Sequence, residues 1–154
     1  MQTSYAIGRL GIGQIDQAYL LVNPVAPRLD LDGWRSFCRN LLAHELLAGE
    51  QNDVIVAANP LGYVQGLSVC AVRTHPFHGR ILDVPVFVVA STADEAGVRA
   101  DLLRHLQECG GLHGCRMLRI WSLEWDSWGR HLDSHEIDRN DHGILIDLPA
   151  GDGH

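Results

Sequence analysis

Long apolar runs, clusters of basic residues and any break in composition are all missing from this chain. No stretch approaches the roughly 20 consecutive apolar residues that span a bilayer, so no transmembrane helix is expected. The opening residues, MQTSYAIGRLGIG, carry neither the basic stretch nor the apolar core of a secretory signal. Positive charge is scarce and dispersed: 12 Lys and Arg stand against 19 Asp and Glu, for a net charge of −7 with His neutral. Such a surface repels nucleic acid and anionic membrane, which excludes both as general partners, and it tolerates a cationic amine. Nothing of linker composition divides the 154 residues, and no internal repeat or low-complexity segment appears. One domain over residues 1–150 is expected, large enough to bury a core without staples, with a frayed tail over 151–154.

Paired CxxC motifs and HExxH are absent too. The 4 cysteines, Cys38, Cys70, Cys109 and Cys115, are irregularly spaced and read as reduced thiols of a cytoplasmic protein, not as a disulfide framework. Among the 9 histidines, His131 and His135 stand at i, i+4, and His75 and His78 flank Pro76-Phe77. Cys109, His113 and Cys115 gather around a glycine turn. None of these has the spacing of a zinc finger, and no metal is expected.

What is present is a regular succession of strand and helix patterns. Ser4–Arg9 reads as a first strand, and Ile15, Ala18, Tyr19 and Val22 mark one face of a helix over Gln14–Asn23, stopped by Pro24 and Pro27. Asp30 or Asp32 caps a second helix over Gly33–Ala48, with Trp34, Phe37, Cys38, Leu41, Leu42 and Glu45 in register and Gly49 as its stop. Asp53–Ala58 and Tyr63–Arg73, joined by Asn59-Pro60-Leu61-Gly62, read as an antiparallel hairpin. A turn at Thr74–Gly79 leads to the strand Arg80–Ala90. The helix Asp94–Cys109 follows, broken by Gly110, Gly111 and Gly114 before the strand Cys115–Leu123. Asp126–His135 reads as a helix and His142–Leu148 as a last strand. The order is β-α-α-β-β-β-α-β-α-β, an α+β (α/β-like) domain.

The stretch Phe87–Leu103, FVVASTADEAGVRADLL, carries the most information. An apolar strand passes through a short turn directly into an amphipathic helix, which aims backbone N–H groups and the positive end of the helix beyond the strand. Together with the element order, this resembles the GNAT (GCN5-related N-acetyltransferase) superfamily. In that superfamily a strand ends in Gln/Arg-x-x-Gly-x-Gly/Ala and enters a helix that begins with paired leucines. The corresponding residues here are Asp94-Glu95-Ala96-Gly97-Val98-Arg99, followed by Leu102-Leu103. Gly97 and the apolar Val98 keep the pattern, whereas Asp94 and Arg99 depart from it.

The resemblance implies a GNAT fold with a central, mixed, mostly antiparallel sheet flanked by helices. It implies an acyl-CoA-dependent N-acyltransferase that transfers acetyl from acetyl-CoA to a small-molecule or peptide amine by direct attack, and it allows a homodimer. Val84–Ala90 and Met117–Leu123 become neighbouring strands that splay to admit pantetheine, with contacts at Phe87, Val88 and Val89 and the pyrophosphate over Asp94, Glu95, Ala96, Gly97, Val98, Arg99 and Ala100. Pro85, which cannot donate to a ladder, marks an edge or a bulge. Asp94 and Glu95 also suit the first turn of a helix, and Arg99 either crowds the phosphate or offers it a guanidinium. Glu124, just past a central strand, is the candidate base, with Asp126 explained as an N-cap. The tyrosine that often serves as acid in the family has no counterpart here, and His131 is the candidate proton donor. The alternative reading is a non-catalytic GNAT-fold module that binds acyl-CoA or a protein partner.

Overall fold

The apolar strands of the chain's middle pair as their pattern predicts. The computed structural model describes residues 5–43, 52–90, 94–121, 138–140 and 143–148. Within them β1 (Ala6–Arg9), β2 (Asp53–Ala58), β3 (Val64–His75) and β4 (Gly79–Val89) form consecutive antiparallel pairs. β5 (Met117–Ile120) lies parallel to β4, and β7 (Gly143–Asp147) runs antiparallel between β5 and β6 (Asp138–Asn140). The result is a seven-stranded mixed sheet in the order β1-β2-β3-β4-β5-β7-β6.

Among the described residues, two helices from the chain's start cover one face of this sheet, and one helix covers the other. α1 (Ile15–Val22) and α2 (Leu31–Leu42) bury Ile15, Ala18, Val22, Trp34, Cys38 and Leu41 against Val54, Val56, Leu67 and Val69. α3 (Glu95–Leu112) buries Leu102, Leu103, Leu106 and Cys109 against Ile55, Cys70, Val72, Leu82, Val84, Leu118 and Ile120. Both faces of the central strands are therefore buried, which accounts for their near-continuous apolar runs. Trp34, 1% exposed, joins the two N-terminal helices by donating its indole N–H to the Ile15 carbonyl at 2.7 Å.

The caps refine the expected boundaries. Asp30, not Asp32, caps α2, its carboxylate accepting the Gly33 N–H at 2.7 Å, so that helix starts at Leu31. α3 is not broken at Gly110 and Gly111 but continues to Leu112. Gly110 is there for packing: a Cβ on it would lie 2.7 Å from Leu148 Cδ1. The stop comes at Gly114, whose φ of +71° favours glycine. The turn between β3 and β4 contracts to 76–78, and β6 is a strand that the sequence pattern does not signal. The expected helix Asp126–His135, the end of the second helix with Glu45 and Gly49, and the tail over 151–154 lie outside the described residues.

Candidate functional site

One end of the sheet gathers the start of β1, the end of β4 and the first turn of α3. Pairing between β4 and β5 runs from Ile81↔Met117 to Val84↔Ile120, and the Trp121 N–H closes it on the Val84 carbonyl at 3.1 Å. β4 then continues through Pro85–Val89. On its other side the register with β3 slips by one between Val69↔Val86 and Ala71↔Asp83. The extra residue belongs to β4, where Val84 and Pro85 together oppose Cys70, so Pro85 sits in a β-bulge. Side-chain parity reverses across it: Leu82 and Val84 pack towards α3, but above the bulge Phe87 does so while Val86 and Val88 face α1 and α2. The Ala90 N–H bonds the Gln65 carbonyl at 2.8 Å, which assigns residues 86, 88 and 90 to the β3 ladder. The main-chain amides of Phe87 and Val89 consequently point towards the β5 side, where pairing among the described residues ends at Val84.

Beyond this strand end α3 begins close against the sheet. A Cβ on Gly66 of β3 would come within 2.8 Å of Val98 Cγ1 and 3.4 Å of Leu102 Cδ2, so glycine at 66 lets the first turns of α3 settle onto the strand. Val98 is fully buried there, whereas Ala96 and Ala100 face outward. The two acids of the turn have separate partners. Glu95 Oε1 accepts from Arg99 Nη2 at 2.6 Å, and Arg99 is only 6% exposed, so its guanidinium lies along its own helix. Asp94 makes no side-chain cap to α3; its Oδ2 accepts the Tyr5 hydroxyl at 2.5 Å, from a residue 89 positions away. That carboxylate lies over Gly97, where a Cβ would be 2.4 and 2.6 Å from its oxygens.

The hydrogen bond to Asp94 is the main reason that the Tyr5 phenol is pushed up to about 12, with desolvation and the Asp94 charge adding to it. Because the folded-state value is raised, the contribution of this contact to stability is fully present below the ordinary value of 10.0 and lost as pH rises through about 12. Ultraviolet titration should therefore show one of the tyrosines ionising near 12, and Asp94→Asn should return it towards 10.0. A normal Tyr5 titration in the unaltered protein would contradict the contact.

The end of the described β4–β5 pairing is held by a polar cluster that sequence reasoning missed. Asp83, 7% exposed, accepts at Oδ1 from Arg119 Nε at 2.8 Å and from the Trp121 indole N–H at 3.0 Å. Arg73 Nε stands 3.9 Å from the other oxygen, and the Arg119 guanidinium lies 4.9 Å from the Trp121 ring centre. Asp83 and Arg119 are register partners. The signal was available: each is a lone charge inside an apolar strand. Glu124 and His131, the candidate base and proton donor, lie outside the described residues, as does Asp126.

Other candidates lie elsewhere. His75 and His78 are at the β3–β4 turn, the opposite end of the sheet, where His75 Nδ1 accepts the Phe77 and His78 amides at 3.0 and 3.2 Å. The 4 cysteines are buried and free, and burial pushes Cys38 up to about 12 and Cys109 to about 11. A hollow of about 690 Å³ between the start of α1 and the end of α2, lined by Ile12, Ile15, Arg35, Arg39 and Leu42, also opens away from the end of β4. Among the described residues no helix is long and apolar enough to cross a membrane.

No family profile matches the chain, and no curated protein matches it significantly. Its fold is similar to those of many solved structures. An aminoglycoside N-acetyltransferase in complex with CoA superposes with a TM-score of 0.67 at 14% identity, over 84% of each chain. Glucosamine-6-phosphate N-acetyltransferase from Arabidopsis thaliana gives 0.63 at 12% identity, over 90% of this chain and 99% of that one. A GNAT family acetyltransferase from Staphylococcus aureus gives 0.63 at 13%, over 77% and 87%. The chain has the GNAT fold.

Proposed function

We propose that this chain is an acyl-CoA-dependent N-acyltransferase, one domain over residues 1–150, that passes acetyl from acetyl-CoA to a small-molecule or peptide amine. The observation that carries this reading is the overrun of β4 beyond its described pairing with β5, through the Pro85 bulge towards the start of α3. That overrun turns the main-chain amides of Phe87 and Val89 towards an extended ligand beside the strand, and such amides suit the amide groups of a pantetheine arm. The first turn of α3, Asp94–Ala100, offers free N–H groups and a helix dipole to the phosphates beyond. Similarity to a protein solved with CoA supports the same reading.

In the proposed reaction the amine nitrogen attacks the thioester carbonyl while both substrates are bound. Glu124 takes the ammonium proton, directly or through water; the C–N bond forms, the nitrogen gives its surplus proton to water, the C–S bond breaks, and CoA leaves as a thiolate that His131 protonates. Donors held ready at the carbonyl oxygen stabilise the charge that develops there. No cysteine follows β4 at the position a covalent acyl-enzyme would need, which favours direct transfer.

Acetyl-CoA at about 100 times its dissociation constant should add roughly 2.7 kcal/mol of stability and raise the melting temperature by several degrees. With a panel of amines, thiol release should accompany acetylation of one of them. The sequence contains no lysine, so no side-chain amine of the protein itself can take the acetyl group, and the product is read without that background. Glu124→Gln should lower kcat/KM by about 100-fold, most strongly below the pH at which the acceptor is mainly ammonium, and leave acetyl-CoA binding intact. Absence of any acetyl-CoA-dependent shift would refute the reading. A shift without thiol release from any amine would favour the non-catalytic module, to which the departures at Asp94 and Arg99 also point.

A further inference from the structure

We propose that Arg119 reads the acceptor: its guanidinium receives an oxyanion, carboxylate or phosphate, carried by the same molecule as the amine. This rests on the acyl-CoA reading and names the class of acceptor. Arg119 is a lone cation in the apolar strand β5, and only 18% of its side chain is exposed. Asp83 takes the N–H on its Nε at 2.8 Å, and the guanidinium carbon lies 4.9 Å from the centre of the Trp121 ring. These contacts hold the group and leave the fork of its two Nη atoms uncommitted: among the described residues neither has a hydrogen-bond acceptor. A held planar fork matches a carboxylate or a phosphate through two parallel N–H···O bonds. Stability alone gives no reason for the charges, since a buried ion pair gains little over apolar side chains of the same size.

Placement gives the fork its use. Leu82 and Val84 pack towards α3, so Asp83 between them turns to the opposite face, and Arg119 and Trp121 meet it there. Among the described residues, the core that α1 and α2 share with that face takes in Val86 and Val88 of β4 but no residue of β5 or β7. Arg119 therefore lies beside the α1–α2 layer. The Trp121 N–H bonds the Val84 carbonyl at the last described β4–β5 pair. A donor laid along the amides of Phe87 and Val89 from the start of α3 brings its thioester down to that point. α3 covers one face of the strands there, so the acceptor comes in from the other. With its nitrogen at the thioester carbonyl, the rest of the acceptor faces the Arg119 fork.

The test is discrimination within matched acceptors. Amino acids are compared with their carboxamides, and aminoalkyl phosphates with the corresponding amino alcohols, by thiol release from acetyl-CoA. In the unaltered protein one series should favour its acid-bearing member by at least about tenfold in kcat/KM, and which series does so separates carboxylate from phosphate. Arg119→Lys keeps a cation for Asp83 but loses the fork; the double variant Asp83→Leu with Arg119→Met loses both charges. In each the preference should fall to within about threefold, chiefly through KM for the acid-bearing acceptor, while acetyl-CoA affinity by calorimetry stays within about twofold. A merely structural role would slow both members of a pair alike, and a preference that survives in this way overturns the inference. Arg119→Lys decides alone if the double variant shows no melting transition. Lack of preference for either acid in the unaltered protein overturns the inference as well, as does acetyl-CoA binding with no member of either series acetylated; both leave acyl-CoA binding standing. Failure to bind acetyl-CoA overturns the acyl-CoA reading, and this inference with it.

Discussion

Trp34→Ala is expected to cost about 3–5 kcal/mol, a large share of the stability of a domain this size. Trp34 is 1% exposed, stacks on Phe37 with ring centres 5.8 Å apart and fills the space between α1 and α2 over β2 and β3. Truncation leaves a cavity among residues held by both helices and the sheet, and it removes the indole N–H bond to the Ile15 carbonyl. Urea unfolding measures the loss. Trp34→Phe separates the two causes, since it keeps most of the volume and loses the hydrogen bond, for which about 0.5–1.5 kcal/mol is expected. A loss below 1 kcal/mol for Trp34→Ala would mean that the α1–α2 layer does not pack as described.

Asp83→Ala should destabilise by a similar amount, about 3–5 kcal/mol, for an electrostatic reason. The change leaves Arg119, whose side chain is 18% exposed, without its closest carboxylate, and leaves the Trp121 indole N–H without its acceptor. Attraction between the two charges is not what makes the loss large; abandoning a mostly buried guanidinium is. The double variant Asp83→Leu with Arg119→Met removes both charges and should therefore recover most of the stability. Urea midpoints of the two single variants and the double variant close this cycle. If the double variant is as unstable as Asp83→Ala, the cluster holds the strands by shape and not by charge compensation.

Much of this architecture was legible in the sequence because local pattern and long-range packing agree. Strands buried on both faces read as apolar runs, and Ile15, Ala18 and Val22 sit where helical spacing puts them. Pro85 announced the bulge because a residue without an N–H has few places in a sheet. Glycine misled where it served packing: Gly110 and Gly111 look like a stop, yet the helix passes through both, since missing bulk at 110 makes room for Leu148. What could not be read was any contact made between distant segments. Tyr5 and Asp94 carry no local sign of each other, and Asp83 with Arg119 becomes a pair only once β4 and β5 are known to lie in parallel register. Departures from a family motif were equally mute: Asp94 and Arg99 were visible as odd residues, but their directions, over Gly97 and towards Glu95, are settled by three-dimensional neighbours.

The Pro85 bulge divides β4 into two lengths that obey opposite rules. Below it, even-numbered residues belong to the α3 core; above it, odd-numbered ones turn to that side. The extra residue works as a half-period phase shift between the numbering of the chain and the two faces of the sheet. Paired without a bulge at its present length, the strand would instead carry Val86 and Val88 into the α3 layer and Phe87 out of it, and the amides that now point away from β3 would rejoin its ladder. For this strand the bulge therefore decides which of the upper side chains meet α3. Evolution can trade one apolar side chain for another along Val86–Val89 at modest cost, and loss of residue 85 itself would turn the bulge into plain alternation, with the upper segment facing as it does now.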